Sequence, residues 1–384
     1  LFPYYTDDKI TESADITGNK SIFKVQKGGQ EFMWEPLAVR SLGRYATTQN
    51  IYKNRFGNKI IFEEINHDLE LTYRYQWSSS NKYGFVKKSK LINTSAASVN
   101  VTLLDGFQNI VPAGIGSFIQ NQSSNLVDAY KRNELEESTG LGIYALSAIL
   151  VDKAEASEAL KANVVWSLGL ENPKYLVSSV QVNNFRSGQN VTQEVDVKAE
   201  KGAYFVSTQV ELSADSSKEW MFVADVNQNH SDIALLSQQI KEDDALIDKV
   251  NEDINFGTQN LVELNAASDA IQVTADSLRD TRHFANSLFN IMRGGIFDDN
   301  YKIEKWDFRN YLVNANKKVA RTSESILDTL PEVFSLSEIQ KIAYNSEDKN
   351  FRRLCLEYMP LKFSRRHGDP SRPWNKFSIN TRSE

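Results

Sequence analysis

Lys59-Ile60-Ile61-Phe62-Glu63-Glu64-Ile65 and Leu69-Glu70-Leu71-Thr72-Tyr73-Arg74-Tyr75-Gln76-Trp77 flank the tripeptide Asn66-His67-Asp68. In the second run Leu71, Tyr73, Tyr75 and Trp77 fall on one side, while Thr72, Arg74 and Gln76 fall on the other. A period of two is that of a β-strand with one face buried. The polar tripeptide between two such runs predicts a hairpin. The aromatic side reads as core; left exposed, it would be a platform for sugar rings.

The same texture extends outward. Strands are predicted at Ser21–Val25, Glu31–Leu37, Phe85–Ile92 and Val99–Leu104, with Asn93-Thr94-Ser95 as a turn signal. More follow at Gly142–Val151, Asn163–Leu170, Tyr175–Val182, Val191–Val197, Gly202–Leu212 and Glu219–Val226. About a dozen strands without intervening helices predict an antiparallel sandwich of large sheets. Leu103-Leu104-Asp105-Gly106 looks like a strand ending in a turn, with Asp105, Gln108 and Asn109 either satisfying backbone or lining a groove.

After Asp225 the period changes. Ile233, Leu236, Ile240, Leu246, Ile247 and Val250 recur at helical intervals over Asp232–Phe256, with Ser231 or Asp232 as the expected N-cap. Helical patterns continue over Thr258–Met292, Asp307–Leu330 and Ser335–Tyr344. The reading is α+β: a large antiparallel β-domain over 1–228, a helical linker over 229–345, and a polar segment over 346–384. At 384 residues two domains are the prior.

Composition narrows the function classes. The chain is 41% hydrophobic and 24% charged, as in ordinary globular proteins. No apolar run has the length of a membrane span, and the net charge of −6 argues against nucleic acid as a partner. Cys355 is the sole cysteine, which excludes an internal disulfide and a multi-cysteine metal site. No phosphate loop, dinucleotide fingerprint or nucleophile elbow is present, so no cofactor is predicted. His67 and His230 lack ligand spacing, so no metal is predicted either. The start, Leu1-Phe2-Pro3-Tyr4-Tyr5, has no initiator Met, and a trimmed N-terminus is expected.

The densest polar chemistry is Arg365-Arg366-His367-Gly368-Asp369-Pro370-Ser371-Arg372-Pro373-Trp374-Asn375. Arginine offers a planar fork for an oxyanion or a diol, and tryptophan an apolar face for a sugar ring. Arg365, Arg366, His367, Asp369, Arg372, Trp374 and Asn375 are therefore the candidate substrate-binding residues. The alternative is a joint between domains, its arginines paired with distant acids. Arg279 and His283 are four apart and share a helix face, where solvation or capping is the plainer role.

Asn81-Lys82-Tyr83-Gly84-Phe85-Val86-Lys87-Lys88-Ser89, Leu103-Leu104-Asp105-Gly106-Phe107-Gln108-Asn109-Ile110 and Gly368-Asp369-Pro370-Ser371-Arg372-Pro373-Trp374-Asn375 resemble segments of the cellobiose phosphorylase-like enzymes and their large bacterial cousins. The resemblance implies a β-supersandwich of the galactose mutarotase-like kind, a helical linker, and an (α/α) six-hairpin barrel beyond Glu384 that holds the catalytic acid. It implies an N-terminal, non-catalytic role in a glycoside phosphorylase or hydrolase, with an oligosaccharide and inorganic phosphate as partners. It also implies a homodimer contact and a cytoplasmic setting. A stand-alone carbohydrate-binding module is the alternative. A mutarotase-type epimerase is disfavoured, because His67 is the one histidine in the strand-rich region before its last strand.

Overall fold

The computed structural model describes residues 15–116, 118–119, 124–149, 158–266, 270–292 and 302–366. The chain divides into two compact units, Leu1–Asn260 and Leu261–Glu384. The α+β class expected from the sequence is what folds: large antiparallel sheets followed by helices.

In the first unit the strands are β1 (Gly18–Lys27), β2 (Gln30–Trp34), β3 (Thr47–Lys53), β4 (Ile60–Asn66), β5 (Leu71–Ser80), β6 (Gly84–Asn93) and β7 (Val99–Ile110). They continue as β8 (Lys131–Glu136), β9 (Leu141–Leu146), β10 (Ala162–Leu168), β11 (Lys174–Ser178), β12 (Asp196–Lys198), β13 (Gly202–Leu212) and β14 (Ser217–Gln228). A five-stranded sheet has the order β11-β13-β7-β1-β2, and a nine-stranded sheet the order β12-β8-β9-β10-β14-β6-β5-β4-β3. The hairpin predicted around Asn66-His67-Asp68 is β4–β5, with Phe62 opposite Tyr75 and Ile60 opposite Trp77. Its aromatic face is core: Tyr73 and Tyr75 pack with Phe23 and Trp34 of one sheet and Trp220 and Phe222 of the other.

β3 and β8 were not expected. Thr47-Thr48-Gln49-Asn50-Ile51-Tyr52-Lys53 lies at a sheet edge and is exposed along most of its length, so no apolar alternation marks it. In β8 the buried positions are Lys131, Asn133 and Leu135, two of them polar. The alternation is there, but hydropathy hides it.

Asp105-Gly106 is not a turn. Both residues sit inside the twelve-residue β7, at the centre of the five-stranded sheet. A Cβ at Gly106 would stand 1.9 Å from the Tyr204 carbonyl oxygen, so glycine is there to let β13 approach. Asp105 is 0% exposed and collects donors from both sheets. Its Oδ1 accepts from Ser21 Oγ (2.6 Å), Lys87 Nζ (2.6 Å) and Tyr73 OH (3.2 Å). Its Oδ2 accepts from Ser89 Oγ (2.8 Å) and Trp220 Nε1 (2.7 Å). Ser21 belongs to the same sheet as Asp105; the other four donors come from the opposite one. Burial lowers the pKa of Lys87, while the carboxylate of Asp105 and its hydrogen bond act the other way. Burial first, then the charge of Asp105, holds the Tyr73 phenol well above its usual range.

Helices cover both outer faces. After α1 (Ser124–Tyr130), α2 (Val182–Arg186) lays Val182 and Phe185 against Ile22, Leu104 and Phe205 of the five-stranded sheet. α3 (His230–Glu242) and α4 (Leu246–Ala266) cover part of the nine-stranded sheet, with Leu246, Val250 and Ile254 over Val86, Trp166, Met221 and Val223. The N-cap of α3 is Asn229, whose side chain accepts from the Ser231 and Asp232 amides. Asp232 returns the bond to the Asn229 amide, completing a capping box whose cap lies before the Ser231 or Asp232 expected there.

The second unit contains α5 (Ser277–Met292), β15 (Lys302–Glu304), α6 (Lys305–Ala315), α7 (Lys317–Thr322), α8 (Glu324–Thr329), β16 (Val333–Ser335), α9 (Leu336–Asn345) and α10 (Lys349–Arg366). The single helix expected over Asp307–Leu330 is three; the first break comes where Asn316 turns its side chain onto the Lys318 and Val319 amides and starts a new helix, and the second falls at Ser323. Ile303, Phe308, Leu312, Val319, Phe334, Ile339, Phe351 and Tyr358 form one core. Cys355 lies in it, its thiol pushed up to about 12 by burial. Among the described residues no helix is long and apolar enough to cross a membrane.

Two outcomes are expected. Asp105→Ala orphans five donors and leaves Lys87 as a buried unpaired charge, so it costs about 3–5 kcal/mol in denaturant unfolding. Lys87→Met costs less, because four donors still hold the carboxylate; equal losses would contradict the assignment of Asp105 as the hub. Cys355 stays unreactive to a thiol reagent at pH 8 in the native chain and gives one equivalent after unfolding.

Candidate functional site

Two of the seven residues singled out in the sequence, Arg365 and Arg366, are the last two residues of α10. His367, Asp369, Arg372, Trp374 and Asn375 lie outside the described residues. Arg279 and His283 share α5 as expected, and Arg279 pairs with Asp276 at 3.9 Å. His67 sits at the β4–β5 turn with its Nε2 2.8 Å from Thr48 Oγ1. Among the described residues no group of three or more His, Cys, Asp or Glu is arranged to hold a metal.

What the strands do assemble is a charged face. The outward side chains of the nine-stranded sheet line up in rows across its strands. One row runs Ile61, Gln76, Lys88, Met221, Leu168 through β4, β5, β6, β14 and β10. The next runs Glu63, Arg74, Lys90, Glu219. Ile247 and Asn251 of α4 stand beside the first row, and the space between helix and sheet is a cleft of about 370 Å³.

The cleft is cationic, with an apolar floor of Ile61, Leu168 and Met221. Its outer charges are balanced: Lys90 Nζ meets Glu219 Oε1 at 2.6 Å, and Arg74 pairs with Glu63. Glu63 also accepts from Asn50 Nδ2 and Tyr52 OH, both at 2.9 Å. Burial works to raise the Glu63 carboxyl, but the hydrogen bonds from Asn50, Arg74 and Tyr52 outweigh it, and the pKa falls below 4.5. That stability is present above pH 4.5 and is lost as pH falls through the lowered value.

Lys88 is different. Its ammonium donates to the side-chain oxygen of Asn251, a neutral amide. One helical turn on, Lys59 Nζ meets Asn255 Oδ1 at 3.1 Å. Among the described residues no carboxylate forms an ion pair with either lysine; Glu219 acts on Lys88 only through space. Burial first, then the charge of Lys59, lowers the Lys88 pKa, while Glu219 opposes them.

Polar contacts along α4 fix this wall. Asp253 accepts from Ser80 Oγ and from the Lys82 amide (3.1 Å), and Thr258 Oγ1 accepts from Asn58 Nδ2 at 2.9 Å. The helix is thus tied to the tips of two hairpins, β3–β4 and β5–β6. In the sequence Arg74 and Gln76 already stand apart as a polar face. Their neighbours on β14 lie more than a hundred residues away, and no local signal gives that register.

Residues 297–360 match glycoside hydrolase family 149 insertion domain 1. The matched stretch coincides with the compact core from Ile303 to Tyr358. The match agrees with the resemblance to glycoside phosphorylases and hydrolases read from the sequence, and it supports a carbohydrate-active enzyme context. No curated protein sequence matches the chain. Among solved structures, a bacterial glucoamylase complexed with acarbose is similar at 11% identity, over 90% of this chain and 51% of that one, with a TM-score of 0.42. A protein described as a kojibiose phosphorylase from the human microbiome is similar at 8% identity, over 70% of this chain and 28% of that one, with a TM-score of 0.29. A heparan sulfate lyase from Pedobacter heparinus is similar at 10% identity, over 48% and 22%, with a TM-score of 0.24. The chain thus spans about half of the first and under a third of the other two.

Proposed function

We propose that this chain is the N-terminal, non-catalytic part of a glycoside phosphorylase or hydrolase of the six-hairpin type. Residues 1–228 would be its supersandwich, 229–345 the helical linker, and 346–384 the segment leading into an (α/α) barrel that carries the catalytic acid. The observation behind this is the match of residues 297–360 to a glycoside hydrolase insertion domain, by its description a part of a larger enzyme.

The chemistry of the described carboxyls is consistent with a supporting role. A glycosidic general acid needs a carboxyl raised toward neutrality. Among the described residues, the carboxyls displaced from their ordinary values, Glu35, Glu63 and Asp253 among them, are displaced downward by hydrogen bonds and cations that overcome burial. Glu35, for example, is held by Nε and Nη2 of Arg186 (2.9 and 2.8 Å) and by Lys20 (3.1 Å). Such groups are anchors. In this reading Arg365, Arg366, His367, Asp369, Arg372, Trp374 and Asn375 face sugar or phosphate at the barrel mouth. Oligosaccharide, inorganic phosphate and a second copy of the enzyme are its partners.

Incubating the 384-residue chain with a panel of disaccharides, with and without phosphate, is expected to release neither free sugar nor sugar 1-phosphate. The protein extended through the barrel is expected to release one or the other. Turnover by the chain alone would overturn the proposal.

A further inference from the structure

The cleft beside α4 has a property that structural packing does not require. A cation withdrawn from water is normally matched by a carboxylate, because a neutral partner leaves much of the desolvation cost standing. Lys87 and Lys88 are adjacent in β6 and point to opposite faces of the sheet. Inside, Lys87 meets Asp105. Outside, among the described residues, Lys88 donates to the amide oxygen of Asn251 and to no carboxylate, with Lys59 held the same way by Asn255 a turn along. An aspartate at position 251 would neutralise Lys88. The amide instead orients the ammonium and leaves its charge available.

We propose that this cleft binds an anionic saccharide, with Lys88 meeting its oxyanion and the ring lying on Ile61, Leu168 and Met221. The charge pattern supports the orientation. At the outer row Arg74 and Lys90 are already engaged by Glu63 and Glu219, which leaves Lys88 as the cleft cation without an ion pair among the described residues. The volume, about 370 Å³, suits a monosaccharide or disaccharide. The side chain of Gln76, next to Lys88 across the β5–β6 ladder, supplies a further polar group for ring hydroxyls. The anion half of the proposal stands on this geometry. The saccharide half rests on the carbohydrate context argued above. Carboxylate, sulfate and phosphate esters share the required chemistry.

Calorimetric titration of the intact 384-residue chain at low ionic strength separates the sources. The probes are glucose 6-phosphate, glucuronate, glucose 6-sulfate, inorganic phosphate and neutral glucose. At least one anionic sugar is expected to bind saturably and more tightly than inorganic phosphate, weakening as salt is added. Lys88→Gln and Asn251→Asp are each expected to weaken it at least tenfold. The second keeps the lysine and merely pairs it, so its effect cannot be put down to a lost side chain. Melting curves confirm that both variants are folded; Asn251 lies on a half-exposed helix position, so that variant remains informative if Lys88→Gln does not fold.

Absence of saturable binding by every probe overturns the proposal, as does binding unaltered by Asn251→Asp. Binding of inorganic phosphate as tight as that of the sugars means an adventitious ion only and overturns it too. None of these outcomes depends on glycosidic turnover, so the scaffold reading stands or falls separately.

Discussion

The carboxylate of Asp105 is the constraint on which the first unit depends. It sits at the centre of the five-stranded sheet with no contact with solvent, a position that is tolerable only if its charge and lone pairs are satisfied from nearby. Five side chains do so, four of them from the facing sheet. Apolar packing holds two sheets together without fixing their relative slide, since a shift of one residue pair along the strands exchanges one aromatic contact for another. A carboxylate with five specific donors admits one alignment. The surrounding rings follow from it: Tyr73 stacks near Trp220 at 6.4 Å and stands edge-on to Phe23 at 5.0 Å.

Strand alternation turns this internal arrangement into an external one. Once Lys87 and Ser89 are committed to Asp105, Lys88 and Lys90 must point outward. Once Tyr73 and Tyr75 are inside, Arg74 and Gln76 must be outside. The cationic face of the nine-stranded sheet is thus the reverse side of its core register. α4 then closes part of that face with Leu246, Val250 and Ile254 and borders the remainder with Asn251 and Asn255. A change inside the sandwich that slipped β6 by one residue would bury the outer lysines and dissolve the cleft.

Much of the architecture was legible where side-chain character alternated with position. β4, β5, β6 and β13 were read with nearly their observed bounds, and the change to helices after Asp225 was read as well. Other elements were not, among them the short helices α1 and α2 between strands and the short strands β15 and β16. β3 and β8 carry polar residues at positions that count, so hydropathy does not mark them. Asp105-Gly106 carries a turn signature, but its glycine serves the close approach of Tyr204 and its aspartate serves Lys87, partners found only after the chain has crossed between sheets. The long helical pattern from Asp307 is broken by Asn316, whose capping is invisible to apolar periodicity. The cleft was half legible: Arg74 and Gln76 stood out on one strand, while Glu219 and Met221 were joined to them by distant pairing alone.

Hydrogen exchange of the native chain tests most directly whether the Asp105 cluster holds the sandwich. If it does, the amides of Lys87–Ser89, Leu103–Gly106 and Trp220–Phe222 are the slowest in the first unit and open only with its global unfolding. Exchange at these amides through local opening, as fast as in the edge pair β3–β4, would contradict the account.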